Sequence, residues 1–292
     1  MTFAEFLYTV LLKPKPLRAI ANAVICRLIP SQVSVQGAII VLNPRDPVVS
    51  GALTFGQYEK PETKFFCAVC KPGMTFLDVG ANIGYFTALA IGRIEGGRIV
   101  AFEPDPENFS FLEKTGAANG AKDLICLQKA VGSEKGSATL YVSTNNRGDN
   151  RLYPNDSSDR TVQVEVDTVD GMLSGLGILS VDLIKIDIQG FEGHALRGME
   201  RTICNSPHLT ILMEFWPFGL QGAGTEPDEL LVWLEDLGFR LFELNEKAML
   251  VPLSDKADLI QRYHSTGRRY TNLVALRGAV EVPTGFLAKA DS

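Results

Sequence analysis

The chain has 292 residues, 46% of them apolar and 21% charged, with a net charge of −6. That composition suits one globular α/β domain with additions and excludes a disordered, collagen-like or disulfide-scaffold protein. The negative balance also argues against a general electrostatic grip on nucleic acid, which needs a basic face.

In chain order, residues 1–30 stand apart. Lys13, Lys15, Arg18 and Arg27 stand against one acid, Glu5. Apolar residues recur at helical spacing from Phe3 to Leu11, are interrupted by Pro14 and Pro16, and resume from Leu17 to Leu28. The pattern predicts a pair of helices capping the core. A helix lying on anionic lipid is the weaker alternative, because few basic residues are present. No signal-peptide pattern and no run of ~20 apolar residues is evident, so the reading is a cytoplasmic chain without a transmembrane segment. The five cysteines, Cys26, Cys67, Cys70, Cys126 and Cys204, read as reduced thiols. Cys67 and Cys70 form a CxxC without a second pair, which suits helix packing better than a metal site.

Val33–Leu42 alternates like a short hairpin, and Pro61 opens a helix over Glu62–Val69. After the Pro72-Gly73 turn a β/α rhythm begins. Strands are predicted at Thr75–Val79, Arg98–Phe102, Leu124–Lys129, Leu183–Ile188, Leu209–Phe215, Phe239–Leu244 and Asn272–Leu276. Helices are predicted at Tyr85–Ile94, Glu107–Asn119, Glu192–Ile203 and Asp228–Leu237. Such alternation implies a doubly wound α/β fold, with a mostly parallel seven-stranded sheet and a site at its carboxyl edge. The division expected is an N-terminal helical and short β extension over residues 1–60, a main domain over 61–280 and a tail over 281–292. Residues 132–170 break the rhythm as a β insertion around a polar loop, Ser143–Asp159, which suits a lid or a substrate-facing element.

The strongest local signal is Phe76-Leu77-Asp78-Val79-Gly80-Ala81-Asn82-Ile83-Gly84-Tyr85-Phe86, a buried strand, a glycine turn and a helix start. Gly80 permits the sharp turn, Gly84 permits close approach of ligand or helix, and the helix start offers free N–H groups. Glu103, followed by Pro104, ends the next strand, where a carboxylate can accept hydrogen bonds from both ribose hydroxyls. The pair reads as a nucleoside site. A dinucleotide loop wants glycine where this chain has Asp78, which would repel a pyrophosphate but suits an ammonium group. S-adenosylmethionine has an ammonium, a carboxylate and a sulfonium and no phosphate, so Asp78 points to it.

FLDVGANIGYFTALA followed by AFEPDPENF resembles the motif pair of class I methyltransferases, a Rossmann-like fold. KAVGSEKGSATLY, VDTVDGML and DLIKIDIQGFEGHALRGM make the chain more similar to the FkbM family. The resemblance implies cofactor contacts at Asp78, Gly80, Asn82, Gly84 and Glu103, and adenine contacts near Ala130 and Val131. Ala81, Tyr85, Phe86 and Pro104 flank the same motifs, and Asp187 borders the same site. Gln189 departs from the family, many of whose members carry Glu there.

Methyl transfer to a hydroxyl needs a base or a metal to draw off a proton. Alternation along Leu183-Ile184-Lys185-Ile186-Asp187 puts Lys185 and Asp187 on one face. Asp187, with Glu192 or Glu214, is expected to surround the acceptor hydroxyl, while a structural ion network of Lys185, Asp187 and Glu192 is the alternative. The two strand-end carboxylates leave room for Mg²⁺, a reading not favoured because no third ligand is evident. His194, His208 and His264 are isolated. Phe215, Trp216 and Phe218 serve as a pocket wall or as core, and Arg268, Arg269 and Tyr270 as an anion grip or, preferably, a solvated loop. The expected function is O-methylation of a small-molecule, carbohydrate or glycolipid acceptor. An NAD(P)-dependent oxidoreductase and a cofactor-binding protein without turnover are the alternatives.

Overall fold

Short runs rich in Val, Ile and Leu become strands in the computed structural model, which describes residues 15–143, 146–154, 160–264 and 269–288. The hairpin is β1 (Gln32–Val35) and β2 (Ala38–Val41). The main sheet uses β3 (Thr75–Val79), β4 (Arg98–Phe102), β5 (Leu124–Leu127), β9 (Leu183–Ile186), β10 (Leu209–Phe215), β11 (Arg240–Leu244), β12 (Leu250–Pro252) and β13 (Thr271–Arg277). The intervening β6 (Ala130–Val131), β7 (Gly136–Val142) and β8 (Arg160–Asp167) make a separate three-stranded sheet in the order β6-β8-β7.

The main sheet runs β12-β11-β13-β10-β9-β3-β4-β5. From β10 to β5 the neighbours are parallel, while β13 is antiparallel to both β10 and β11. Among the described residues the sheet therefore has eight strands, where seven were expected. The extra strand is the three-residue β12, with Val251 and Pro252 exposed, too short and too polar in setting to leave a buried-strand pattern. The strand order turns between β3 and β9, and in open parallel sheets ligands bind at such a point, beyond the carboxyl ends.

Alternation assigns side chains to the two faces. Leu77, Val79, Ile184, Ile186, Ile211 and Met213 belong to one core, whereas Phe76, Leu183, Leu212 and Val274 belong to the other. Asp78, Lys185, Glu214 and Asn272 fall in register with the second set, so the sheet carries polar groups toward the helix Lys60–Val69.

Other differences have local causes. The helix expected over Glu192–Ile203 is two helices, Glu192–Arg197 and Glu200–Cys204. A Cβ at Gly198 would lie 2.0 Å from the Gly132 carbonyl oxygen, so the break brings this turn against the insertion. The helix Lys256–His264 was not expected because it buries only Leu259 among its charged residues.

Candidate active site

Two adjoining cavities open at the carboxyl ends of β3, β4 and β9. The larger is lined by Gly80, Asn82, Glu103, Pro104, Ala130, Val131, Arg147, Asp187 and neighbours. The smaller is lined by Tyr58, Glu59, Asp78, Gly80, Ala81, Asn82, Tyr85, Phe86, Lys185 and Asp187. Gly80, Asn82 and Asp187 belong to both, so one elongated ligand can reach from one into the other.

The glycine turn is set by what closes over it. Gly80 has φ +84°, and a Cβ there would lie 2.1 Å from the Asp187 carbonyl oxygen, so both backbone conformation and space demand glycine. Of the two uses expected of Gly84, close approach of a ligand or of a helix, the helix contact is present. Gly84 lines neither cavity, and a Cβ there would meet Leu112 at 2.9 Å, so its role is helix-to-helix packing.

Glu103 is held firmly at the end of β4. One carboxylate oxygen accepts from the Asn82 N–H at 2.9 Å and the other from the Asp105 N–H at 2.8 Å. Burial pushes its carboxyl up to about 8, against the lowering by those two N–H groups. Each oxygen keeps a lone pair for a ligand hydroxyl. Ala130, Val131, Leu140 and Leu152 make an apolar wall on the far side, suited to a flat base.

Several buried polar atoms at the larger cavity have no protein partner: Asn82 Oδ1, Asn108 Oδ1, Asn150 Nδ2, and Nε and Nη1 of Arg147. Arg147 is only 7% exposed. Its Nη2 donates to Glu107 at 2.7 Å, and its carbonyl accepts from the Asn82 and Asn108 amides. Unsatisfied buried groups are costly, so their convergence on one cavity marks a polar ligand's place.

The smaller cavity is a buried charge cluster. Lys185 Nζ lies 3.5 Å from Asp187 Oδ2 and 5.3 Å from the centre of the Phe86 ring. Burial opposes its charge, but Asp187, Glu59 and Glu214 outweigh that and make it hold its proton more tightly than an ordinary lysine. Burial raises Glu59 to about 8 and Asp78 to about 6, and takes Glu214 well above its usual range. Asp78 also accepts the Thr87 hydroxyl at 2.6 Å. Glu62, raised by burial, accepts from the Asn272 amide.

Gln189 stands in the left-handed region at φ 54°. Its Nε2 donates to Asp187 at 3.0 Å and to Glu214 at 3.1 Å, bridging the two carboxylates. Tyr153 donates its hydroxyl to the Gln189 carbonyl at 3.0 Å, and Arg151 stacks over Trp216 at 4.5 Å. Trp216 is buried beneath Arg151 and lines neither cavity, Phe215 is core and Phe218 is half exposed.

Asp187, Lys185 and Glu214 lie together, and Glu192 stands near enough to interact with the charges of Asp187 and Glu214. Glu192 Oε1 accepts from the Ile188 and Gly190 N–H groups, so it fastens the loop that carries Asp187. The histidines serve elsewhere: His194 bonds the Ala223 carbonyl, His208 the Ala279 N–H and His264 Gln221. Arg268 lies outside the described residues. Among the described residues no group of three His, Cys, Asp or Glu side chains has the arrangement to hold a metal. Glu59, Glu62, Asn108, Arg147 and Asn272 were not singled out from the sequence. Glu59 and Glu62 come from the start of the helix Lys60–Val69, Arg147 from the insertion and Asn272 from the last strand, where no motif marks them, while Asn108 stands within AFEPDPENF without a residue type that singles it out.

A family model, the methyltransferase FkbM domain, matches residues 78–241. Methyltransferase 1 of Beauveria bassiana is 27% identical over 143 residues, covering 42% of this chain and 57% of that protein. Methyltransferase sdnD of Sordaria araneosa is 26% identical over 193 residues, covering 56% of this chain and 72% of that protein. The match thus spans little more than half the length of the first of these. Among solved structures, a precorrin-6y C5,15-methyltransferase from Geobacter metallireducens superposes with a TM-score of 0.44 at 11% identity, over 76% of this chain and 88% of that one.

Proposed function

The chain belongs to the FkbM methyltransferase family, and on that premise we propose that it transfers a methyl group from S-adenosylmethionine to a hydroxyl oxygen of a small-molecule, carbohydrate or glycolipid acceptor. The observation that carries this reading is the pairing of two cavities. One offers Glu103 and an apolar wall to a nucleoside, and the other surrounds Lys185 with carboxylates.

The residues fit that cofactor. Glu103 would take the ribose hydroxyls, Ala130, Val131 and Leu140 the adenine, and the unpartnered Arg147 nitrogens the carboxylate. Asp78 and Glu59 would face the cationic end, where excess negative charge favours ammonium and sulfonium. When bound, the cofactor supplies the activated methyl carbon. The chain must then hold an acceptor oxygen in line with it and remove its proton. Asp187 receives that proton on a carboxylate oxygen, while Lys185 and the Gln189 amide fix the carboxylate's direction. Glu214, held by the same amide, orients the acceptor.

Incubating the chain with isotopically labelled S-adenosylmethionine and fractionated cell extract tests the reaction. The expected product carries one extra methyl on oxygen by mass and fragmentation. Label on nitrogen or carbon would move the acceptor class. Arg147→Ala should weaken S-adenosylhomocysteine binding about 10- to 100-fold, as for a lost hydrogen bond to a charged group. It should leave 5′-methylthioadenosine, which has no carboxylate, nearly unaffected. Equal losses for both ligands would put Arg147 on the nucleoside instead.

A further inference from the structure

The helix Lys15–Leu28 packs on the core by one side only. Ile25 and Cys26 join the core cluster that includes Leu53 and Phe65, and Ile25 sits against Gly51. At 3.6 residues per turn, Leu17, Ile20, Val24 and Leu28 fall together on another side. They are 49%, 63%, 49% and 58% exposed. A helix that served only to cap the core would have no use for a continuous aliphatic stripe in water. Phe55, which follows the underlying helix Val49–Thr54, is 54% exposed as well.

Charge on this part of the molecule opposes that of the whole. No acidic residue occurs between Glu5 and Asp46, a stretch holding Lys13, Lys15, Arg18 and Arg27 in a chain of net charge −6, besides Arg45, which pairs with Glu107. An open groove flanking Phe55, which includes Leu53 and Gly56, carries Lys60, Lys64 and Arg93 and no carboxylate. Lys60 bonds Gln57, Lys64 lies over the Phe286 ring, and Arg93 bonds the Leu89 and Gln36 carbonyls. Their charges are therefore not neutralised by these contacts.

We propose that this face docks on an anionic lipid surface. The stripe of Leu17, Ile20, Val24 and Leu28 enters the acyl boundary, and the surrounding cations lie over the headgroups. A second copy of the chain is a poorer occupant, because it would bring a like-charged face against this one. Among the described residues no helix is long and apolar enough to cross a membrane, and an apolar stripe along one side of a helix suits contact in the plane of the interface. The inference is independent of the methyl-transfer reading, since neither the stripe nor the lysines belong to the cofactor cavity.

Vesicle flotation of the full chain tests it, with phosphatidylcholine alone and with roughly a third of the lipid replaced by phosphatidylserine. The chain should float with the anionic vesicles and stay behind with the neutral ones. Ile20→Asp/Val24→Asp changes two exposed positions, so its circular dichroism and S-adenosylhomocysteine affinity should match the parent. Its partitioning into anionic vesicles should fall at least about tenfold. Three results would overturn the proposal: no flotation of the parent, equal flotation of the double variant, or equal binding to neutral vesicles. A dimer in sedimentation that the double variant abolishes, without flotation, would assign the stripe to a second copy.

Discussion

Asp187→Asn should lower the turnover of methyl transfer about 10²- to 10⁴-fold, the range for loss of a positioned general base. The substitution keeps an oxygen to accept from the Gln189 amide, now at 3.0 Å, and so preserves the loop. Cofactor affinity should change much less than turnover, because Glu103, Arg147 and the apolar wall of the larger cavity are untouched by the substitution. The two effects separate in a titration with S-adenosylhomocysteine beside a rate measurement. A variant that binds cofactor and turns over at the parent rate would remove Asp187 from the base role. The acceptor would then arrive already deprotonated, or another group would receive its proton.

Lys185→Met should destabilise the fold by about 3–5 kcal/mol near pH 8, the cost of leaving buried carboxylates without their cation. Lys185 is 2% exposed and supplies the positive charge felt by Glu59, Glu62, Asp78 and Glu214. The pH dependence gives the loss a signature. Burial raises Glu59 to about 8 and Asp78 to about 6 in the folded chain, above their ordinary values of 4.5 and 3.8. Groups raised on folding contribute stability that is complete below their unfolded values and disappears as pH climbs through the folded ones. The parent should therefore lose stability as pH rises from about 4 to about 8. Without Lys185 these carboxyls keep their protons to higher pH, so the variant should be closest to the parent near pH 5. Urea unfolding at both pH values measures this, and a loss that is small or independent of pH would contradict it.

Much of this architecture is legible in the residues because burial on both faces leaves continuous apolar runs. The core strands β3, β4 and β10 coincide with their predicted ranges. The glycine turn and Glu103 are legible for a related reason: a turn that admits no Cβ, and a carboxylate ending a buried strand, stand out against apolar neighbours. Gly84 shows the limit, since glycine permits close approach without saying to what, and here the neighbour is Leu112. Glu192 shows another. Its place on the first turn after the Asp187 loop suited catalysis, yet that same place lets it cap the Ile188 and Gly190 N–H groups.

Glu59 and Arg147 were beyond local pattern. Glu59 precedes the helix Lys60–Val69 in a left-handed conformation, φ 37°, and lines the same cavity as Lys185, whose charge it feels. Arg147 lies in the polar insertion whose unusual length was itself the signal that something covers the site. Gln189 acquires a definite meaning only in three dimensions. A glutamate there would bring a third carboxylate to Asp187 and Glu214, whereas the amide supplies both with a donor. That arrangement gives both carboxylates a donor beside the Lys185 cation instead of a further negative charge.

Calorimetric titration of the chain with S-adenosylhomocysteine and with NAD tests the central claim most directly. One molecule of S-adenosylhomocysteine should bind per chain, NAD should give no heat, and Glu103→Ala should abolish the binding. Saturable binding of NAD with none of S-adenosylhomocysteine would contradict the account.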